Sequence, residues 1–89
     1  MTKADLIEAI AAATGEPKTK VDLFVTAFCE VVMRAVAQGG SVRLVGFGNF
    51  DRVATKARTG RNPATGEPVE IPAGHRPRFR PGKTFKERI

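Results

Sequence analysis

The chain has 89 residues, a formal net charge of +6, one cysteine, one histidine, and neither tryptophan nor tyrosine. That length allows one small domain, near the size where a single core barely offsets chain entropy, so a staple is expected. Cys29 alone excludes an internal disulfide, and His75, alone and away from any carboxylate or thiol cluster, argues against a zinc or iron–sulfur site; oligomerisation is left as the staple.

Thr2 with Asp5 three residues on is a capping-box-like start, and Leu6, Ile7, Ile10 and Ala11 mark one face of a first helix that Gly15 stops. Pro17 suits the first position of a second helix. There Val21, Phe24, Val25, Phe28, Val31, Val32, Ala35 and Val36 recur at steps of three and four, which predicts a helix ended by Gly39-Gly40. Its length would be roughly 20 residues, about 30 Å. The two helices read as an αα-hairpin. Glu30 and Arg34 interrupt the most apolar stretch, so it is not a membrane span, and Asp5 in MTKADLIEAI argues against an export signal. A lone free cysteine without such a signal fits a reducing, intracellular compartment.

The period then changes. SVRLV (41–45) is short and β-branched, GFG (46–48) reads as a turn, and NFDRVATKART (49–59) as a second strand. RTGRNPATG (58–66) is a basic tip rich in turn residues. In residues 66–81, Val69 and Ile71 alternate with polar residues, but Pro68, Pro72, Pro77 and Pro81 are too many for a central strand and suit an edge or an arm. Between Ala54 and Gly74 only Val69 and Ile71 are large and aliphatic, so this segment would be a two-stranded ribbon reaching away from the body. Gly82 leads into KTFKERI, one or two helical turns. The fold class is α+β: a helix pair over 1–40, a three-stranded antiparallel sheet over 41–82 carrying a long β-ribbon arm at about 54–74, and a short C-terminal helix over 83–89, all in one domain.

Charge is divided unevenly along this plan. Residues 1–40 hold four basic and five acidic side chains, whereas residues 41–89 hold eleven basic and four acidic ones. All the excess positive charge lies in the second half, which points to a polyanion, nucleic acid first and an anionic membrane surface second. Arg76, Arg78 and Arg80 alternate with Pro77, Phe79 and Pro81, so an extended chain puts the three arginines on one face and Phe79 on the core side. Such a face is either simply solvated or phosphate-facing, and the charge asymmetry favours the second. GKT (82–84) imitates the end of a P-loop but has Pro77 where the first glycine belongs, so nucleotide hydrolysis is rejected; amides at that helix start, beside Lys83, still suit a phosphate. His75 has no nearby nucleophile, Cys29 sits in the long helix as a packing residue, and the carboxylates are scattered. No enzyme, cofactor, metal or small-molecule substrate is expected.

GFGNF followed by RTGRNPATG, with RPRFRPGKTF beyond, resembles the bacterial histone-like HU and integration host factor family along the whole chain. The resemblance implies an intertwined dimer with a core of Phe28, Val32, Leu44, Phe47, Phe50 and Phe79. Two arms would reach around double-stranded DNA through its minor groove, with Pro63 inserted between base pairs, a wedge described for that family itself. Phosphate and groove contacts then fall to Lys3, Gly46, Gly48, Arg52, Lys56, Arg58, Arg61, Asn62, Arg76, Arg78, Arg80, Lys83 and Lys86. Thr55 stands where many relatives have a basic arm residue, and Arg76 where an apolar one is common. SVRLVG has no charged pair of the kind that sequence-specific relatives carry, which leans toward a general DNA binder of the HU kind. The expected protein is a homodimer, or a heterodimer with a paralogue, that is cytoplasmic and nucleoid-associated and bends DNA with little sequence preference. A sequence-specific bender and an RNA-binding module are the rivals; the latter lacks the usual aromatic platform.

Overall fold

The computed structural model describes all 89 residues. Helix α1 (Lys3–Thr14) is capped by Thr2 through a full capping box: the Asp5 N–H donates to Thr2 Oγ1 at 3.3 Å and the Thr2 N–H to Asp5 Oδ2 at 2.9 Å. Gly15 ends it at φ 75°, its N–H on the Ala11 carbonyl at 2.9 Å. Helix α2 (Lys18–Ala37) follows. Pro17 stands one position earlier than expected, just outside the helix, where its carbonyl accepts from Lys20 and Val21 at 3.1 Å. The end of α2 is a Schellman turn: Gly39 N–H bonds Val36 O at 3.0 Å, Gly40 N–H bonds Ala35 O at 2.9 Å, and Gly39 has φ 87°.

Five strands and a short helix complete the chain: β1 (Val42–Leu44), β2 (Gly48–Thr55), β3 (Arg58–Arg61), β4 (Pro68–Ile71), β5 (Gly74–Pro81) and α3 (Lys83–Glu87). They make an antiparallel three-stranded sheet, β1-β2-β5, and a separate two-stranded ribbon, β3-β4. The strand expected over 49–59 is therefore two strands. Lys56-Ala57 on one side and Pro72-Ala73 on the other leave the ladder, and Pro72 has no N–H to contribute to it. The C-terminal helix is likewise shorter than 83–89. The proline-bearing β5 is an edge strand, as its composition requires.

The turn between β1 and β2 closes with Phe47 N–H on Leu44 O at 3.0 Å, and Gly46 has φ 81°, which a type II turn demands at its third residue. Turn and α3 are knit together: Gly82 N–H donates to Phe47 O at 2.8 Å and Phe85 N–H to Gly46 O at 3.0 Å. Behind them Phe47, Phe50, Phe79 and Phe85 form one cluster, with ring centroids 4.8 Å apart for Phe50–Phe79 and 5.4 Å for Phe47–Phe79. Gly48 is obligatory here, because a Cβ would overlap the Phe79 ring and lie 2.8 Å from Arg80 O.

The chain divides into two compact units, Met1–Arg34 and Ala35–Ile89. Neither holds an adequate core: the only buried apolar residues are Ala11, Val21 and Val36. On α2, Leu23, Phe24, Phe28, Val31 and Met33 are exposed, and so are Phe47 in the β1–β2 turn and Phe79 in β5. No helix is long and apolar enough to cross a membrane.

Candidate nucleic-acid interface

Residues paired directly across an antiparallel ladder share a face. In β2 and β5 the pairs Asn49–Arg80, Asp51–Arg78 and Val53–Arg76 therefore lie together, and Arg43 of β1, opposite Asn49, joins them. The other face carries Phe50–Phe79, Arg52–Pro77 and Ala54–His75. One side of the sheet is thus the phenylalanine side, and the other presents four arginines.

Two of those arginines are organised by one carboxylate. Arg78 donates Nε–H to Asp51 Oδ1 and Nη2–H to Oδ2, both at 2.9 Å, the side-on fork that suits guanidinium and carboxylate. Arg80 Nη2 reaches Asp51 Oδ2 at 2.8 Å, and Asn49 Nδ2 reaches it at 3.2 Å. The Asp51 carboxyl is held below the ordinary carboxylate value, chiefly by the Arg78 hydrogen bonds, with burial opposing and the charges of Arg78 and Arg80 assisting. Arg78 is raised reciprocally by the same bonds. Asn49 Oδ1 is buried with no protein partner.

The arm carries the rest. At its tip Asn62 N–H donates to Glu67 O at 2.9 Å, Gly66 N–H to Asn62 O at 2.7 Å, and Ala64 N–H to the Asn62 side-chain oxygen at 2.9 Å. That Asx turn holds Pro63 exposed at the apex. Gly60 gives close packing, since a Cβ would meet Ile71 Cδ1 at 2.9 Å. Pro63, Val69 and Ile71 border an apolar groove with Arg58 and Arg61 at its margin. In the ladder Arg58 pairs with Ile71 and Arg61 with Pro68, so the two arginines start from opposite faces of the ribbon. Lys56 lies at the unpaired junction, in a second groove shared with Arg58 and Arg76.

Several residues picked from the sequence sit elsewhere. Arg52 is on the phenylalanine side, where its Nη1 donates to Ala37 O at 3.0 Å and its guanidinium covers Gly39; it closes the end of α2 and does not join the arginine face. Gly46 and Gly48 build the turn. Lys3 reaches Thr26 Oγ1 at 2.8 Å and Asp22 at 3.5 Å, tying α1 to α2. At the start of α3, the amides of Gly82 and Phe85 are spent on the turn, which leaves those of Lys83 and Thr84 for the phosphate expected there. Lys83 and Lys86 are exposed, Lys83 within 3.9 Å of Glu87. Of the residues expected to form a dimer core, Phe47, Phe50 and Phe79 are together in the aromatic cluster, Leu44 and Val32 are half-buried, and Phe28 is exposed on α2. Sequence reasoning missed Arg43 and the hub residues Asn49 and Asp51. Their alternation puts Asn49 and Asp51 on one face of β2, but only the register between strands brings that face, with Arg43, to the side of Arg76, Arg78 and Arg80. No group of three His, Cys, Asp or Glu side chains is placed to hold a metal ion.

A cationic sheet face next to a basic, apolar-tipped β-ribbon defines a nucleic-acid-binding class of protein. Residues 1–89 match the family of bacterial DNA-binding proteins, and the chain belongs to it. It is similar to DNA-binding protein HU of a Nostoc species, 44% identical over 89 residues that span all of this chain and 95% of the relative. HU of Thermus thermophilus is 45% identical, with 100% and 92% of the two chains covered. Among solved structures, an Anabaena HU–DNA cocrystal structure has a TM-score of 0.94 at 44% identity, covering 99% of this chain and 96% of that one. HU from Thermotoga maritima has a TM-score of 0.70 at 30% identity. The chain is an HU-type architectural protein, a class without enzymatic activity.

Proposed function

We propose that two copies of this chain form an intertwined dimer that binds duplex DNA through the minor groove and bends it with little sequence preference, shaping the nucleoid of a bacterial cytoplasm. The observation that carries the reading is the pairing of a four-arginine sheet face with an arm that holds Pro63 exposed in the turn at its tip, two residues beyond Arg61. The cocrystal relative was solved with DNA, which supports the partner.

The chemistry follows from these parts. Phosphates are neutralised by Arg43, Arg76, Arg78 and Arg80 on the body and by Lys56, Arg58 and Arg61 on the arm. A minor groove shows few base-specific groups, so contacts there from Asn62 and Arg61 carry little sequence information. Pro63 has no N–H to leave unpaired and no flexible side chain to order, and its ring is flat enough to part a base step. Unstacking costs a few kcal/mol and bending a site by 40–90° roughly 1–6 kcal/mol, which the phosphate contacts offset.

The test is end-to-end fluorescence energy transfer on a mixed-sequence duplex of about 30 base pairs, a length over which elastic bending is costly. Transfer is expected to rise as protein is added, to rise less with Pro63→Ala, and to fall away steeply with salt. Binding without any rise would leave a protein that coats DNA and a Pro63 that only makes a turn.

A further inference from the structure

We propose that Asp51 is a positioning residue for DNA: it fixes the guanidinium groups of Arg78 and Arg80 as a rigid pair of phosphate seats, and so sets the path of the duplex across the sheet. The idea rests on the DNA-bending reading above. An acid in the middle of a phosphate-binding face looks counterproductive, since it cancels one charge of four arginines. Its geometry shows another purpose. The Asp51 side chain is 15% exposed, against 37% for Arg78 and 56% for Arg80, so the carboxylate lies beneath the guanidiniums and an arriving polyanion meets the cations first. Four donor contacts converge on it, from Arg78 twice and from Arg80 and Asn49 once each. Arg78 spends two of its five N–H groups on Asp51 and Arg80 one of five. The remaining N–H groups stay free for phosphate while the side chains, otherwise mobile, are already ordered. Asp51 therefore keeps its arginines when DNA binds; phosphates add to the pair and do not replace the carboxylate.

Two variants separate this role from simple charge and from simple stability. Asp51→Asn makes the face more positive and removes the splint. Arg78→Lys keeps the charge but cannot offer the fork. Single-molecule energy transfer on the same duplex reads the spread of bend angles, and a salt titration reads the phosphate contacts. Asp51→Asn is expected to bind as tightly as the parent or up to about threefold tighter, with a salt slope steeper by about one, yet to give a broader and lower transfer distribution. Arg78→Lys is expected to give the same broadening without the steeper slope. In heteronuclear spectra the Arg78 Nε–H signal should persist in the parent complex and be lost in Asp51→Asn. Distributions identical to the parent in both variants, or loss of the Arg78 signal when the parent binds DNA, would overturn the proposal. If Asp51→Asn melts before it binds, Arg78→Lys alone decides. A parent that binds without bending would instead refute the underlying function.

Discussion

Gly48 and Asp51, three positions apart on β2, show how single residues divide the work. Gly48 has no room for a methyl group, because the Phe79 ring and Arg80 O crowd the place a Cβ would take. Gly48→Ala should lower stability by roughly 1–3 kcal/mol, as overpacking does, and thermal melting checks it. Asp5 and Asp51 give the molecule its acid limit. Both carboxyls lie below the ordinary value, Asp5 through the Thr2 backbone N–H and hydroxyl, Asp51 chiefly through Arg78. A depressed folded pKa means stability that is fully present above the unfolded value of about 3.9 and lost as pH falls through the folded one. Melting temperature should therefore be flat between about pH 7 and 5 and drop below about pH 4. Asp5→Asn should remove part of that drop. A parent that loses stability already near pH 6 would implicate another group.

Elements were legible where their signals are local. The capping box at Thr2, the glycine stop at Gly15 and the three-and-four spacing of α2 are written within a few residues, and the helices end where those signals fall. The alternation of β5 likewise gave its arginine face. What could not be read was pairing: whether Arg43, Asn49 and Asp51 stand with Arg76–Arg80 or opposite them depends on register between strands far apart in sequence. Arg52 shows the cost of reading charge alone, because its phase puts it on the other face and its guanidinium goes to Ala37 O. The break of the long strand at Lys56-Ala57 was hidden for the same reason, since the residue that fails to pair, Pro72, is on the returning strand. The helix end that Arg52 closes is itself sensitive. Gly39 has φ 87°, and a Cβ there would meet the Arg52 guanidinium at 3.1 Å. Gly39→Ala should cost about 1 kcal/mol or more. Arg52→Gln should add to that loss by less than its own effect, since both act on one contact; a double-mutant cycle followed by denaturant unfolding measures the coupling.

At the scale of the whole molecule the outstanding fact is uncovered apolar surface. On β5 Phe79 is 37% exposed, as open as the Arg78 side chain beside it, and Phe28 on α2 is 44% exposed. A single chain with three buried apolar residues has no means of offsetting its conformational entropy. The dimer proposed above would cover these surfaces, and it ties stability to concentration. A hundredfold increase in protein should raise the melting midpoint on the order of 5–10 °C, with sedimentation giving twice the chain mass. A midpoint that does not move with concentration would mean that the apolar faces are covered in some other way.

Strand β2 borders the arginine face on one side and the phenylalanine cluster on the other, and this alternation governs how the protein can change. A substitution at 49, 51 or 53 alters what the sheet offers to solvent, and one at 48, 50 or 52 alters what it packs against. The strand is a two-track script in which neighbouring letters belong to different sentences. Point changes can therefore retune the cationic face with the packing left intact. Insertion or loss of one residue would exchange the tracks over the whole length of the strand, turning Phe50 toward solvent and burying Asn49 and Asp51 against the packed side.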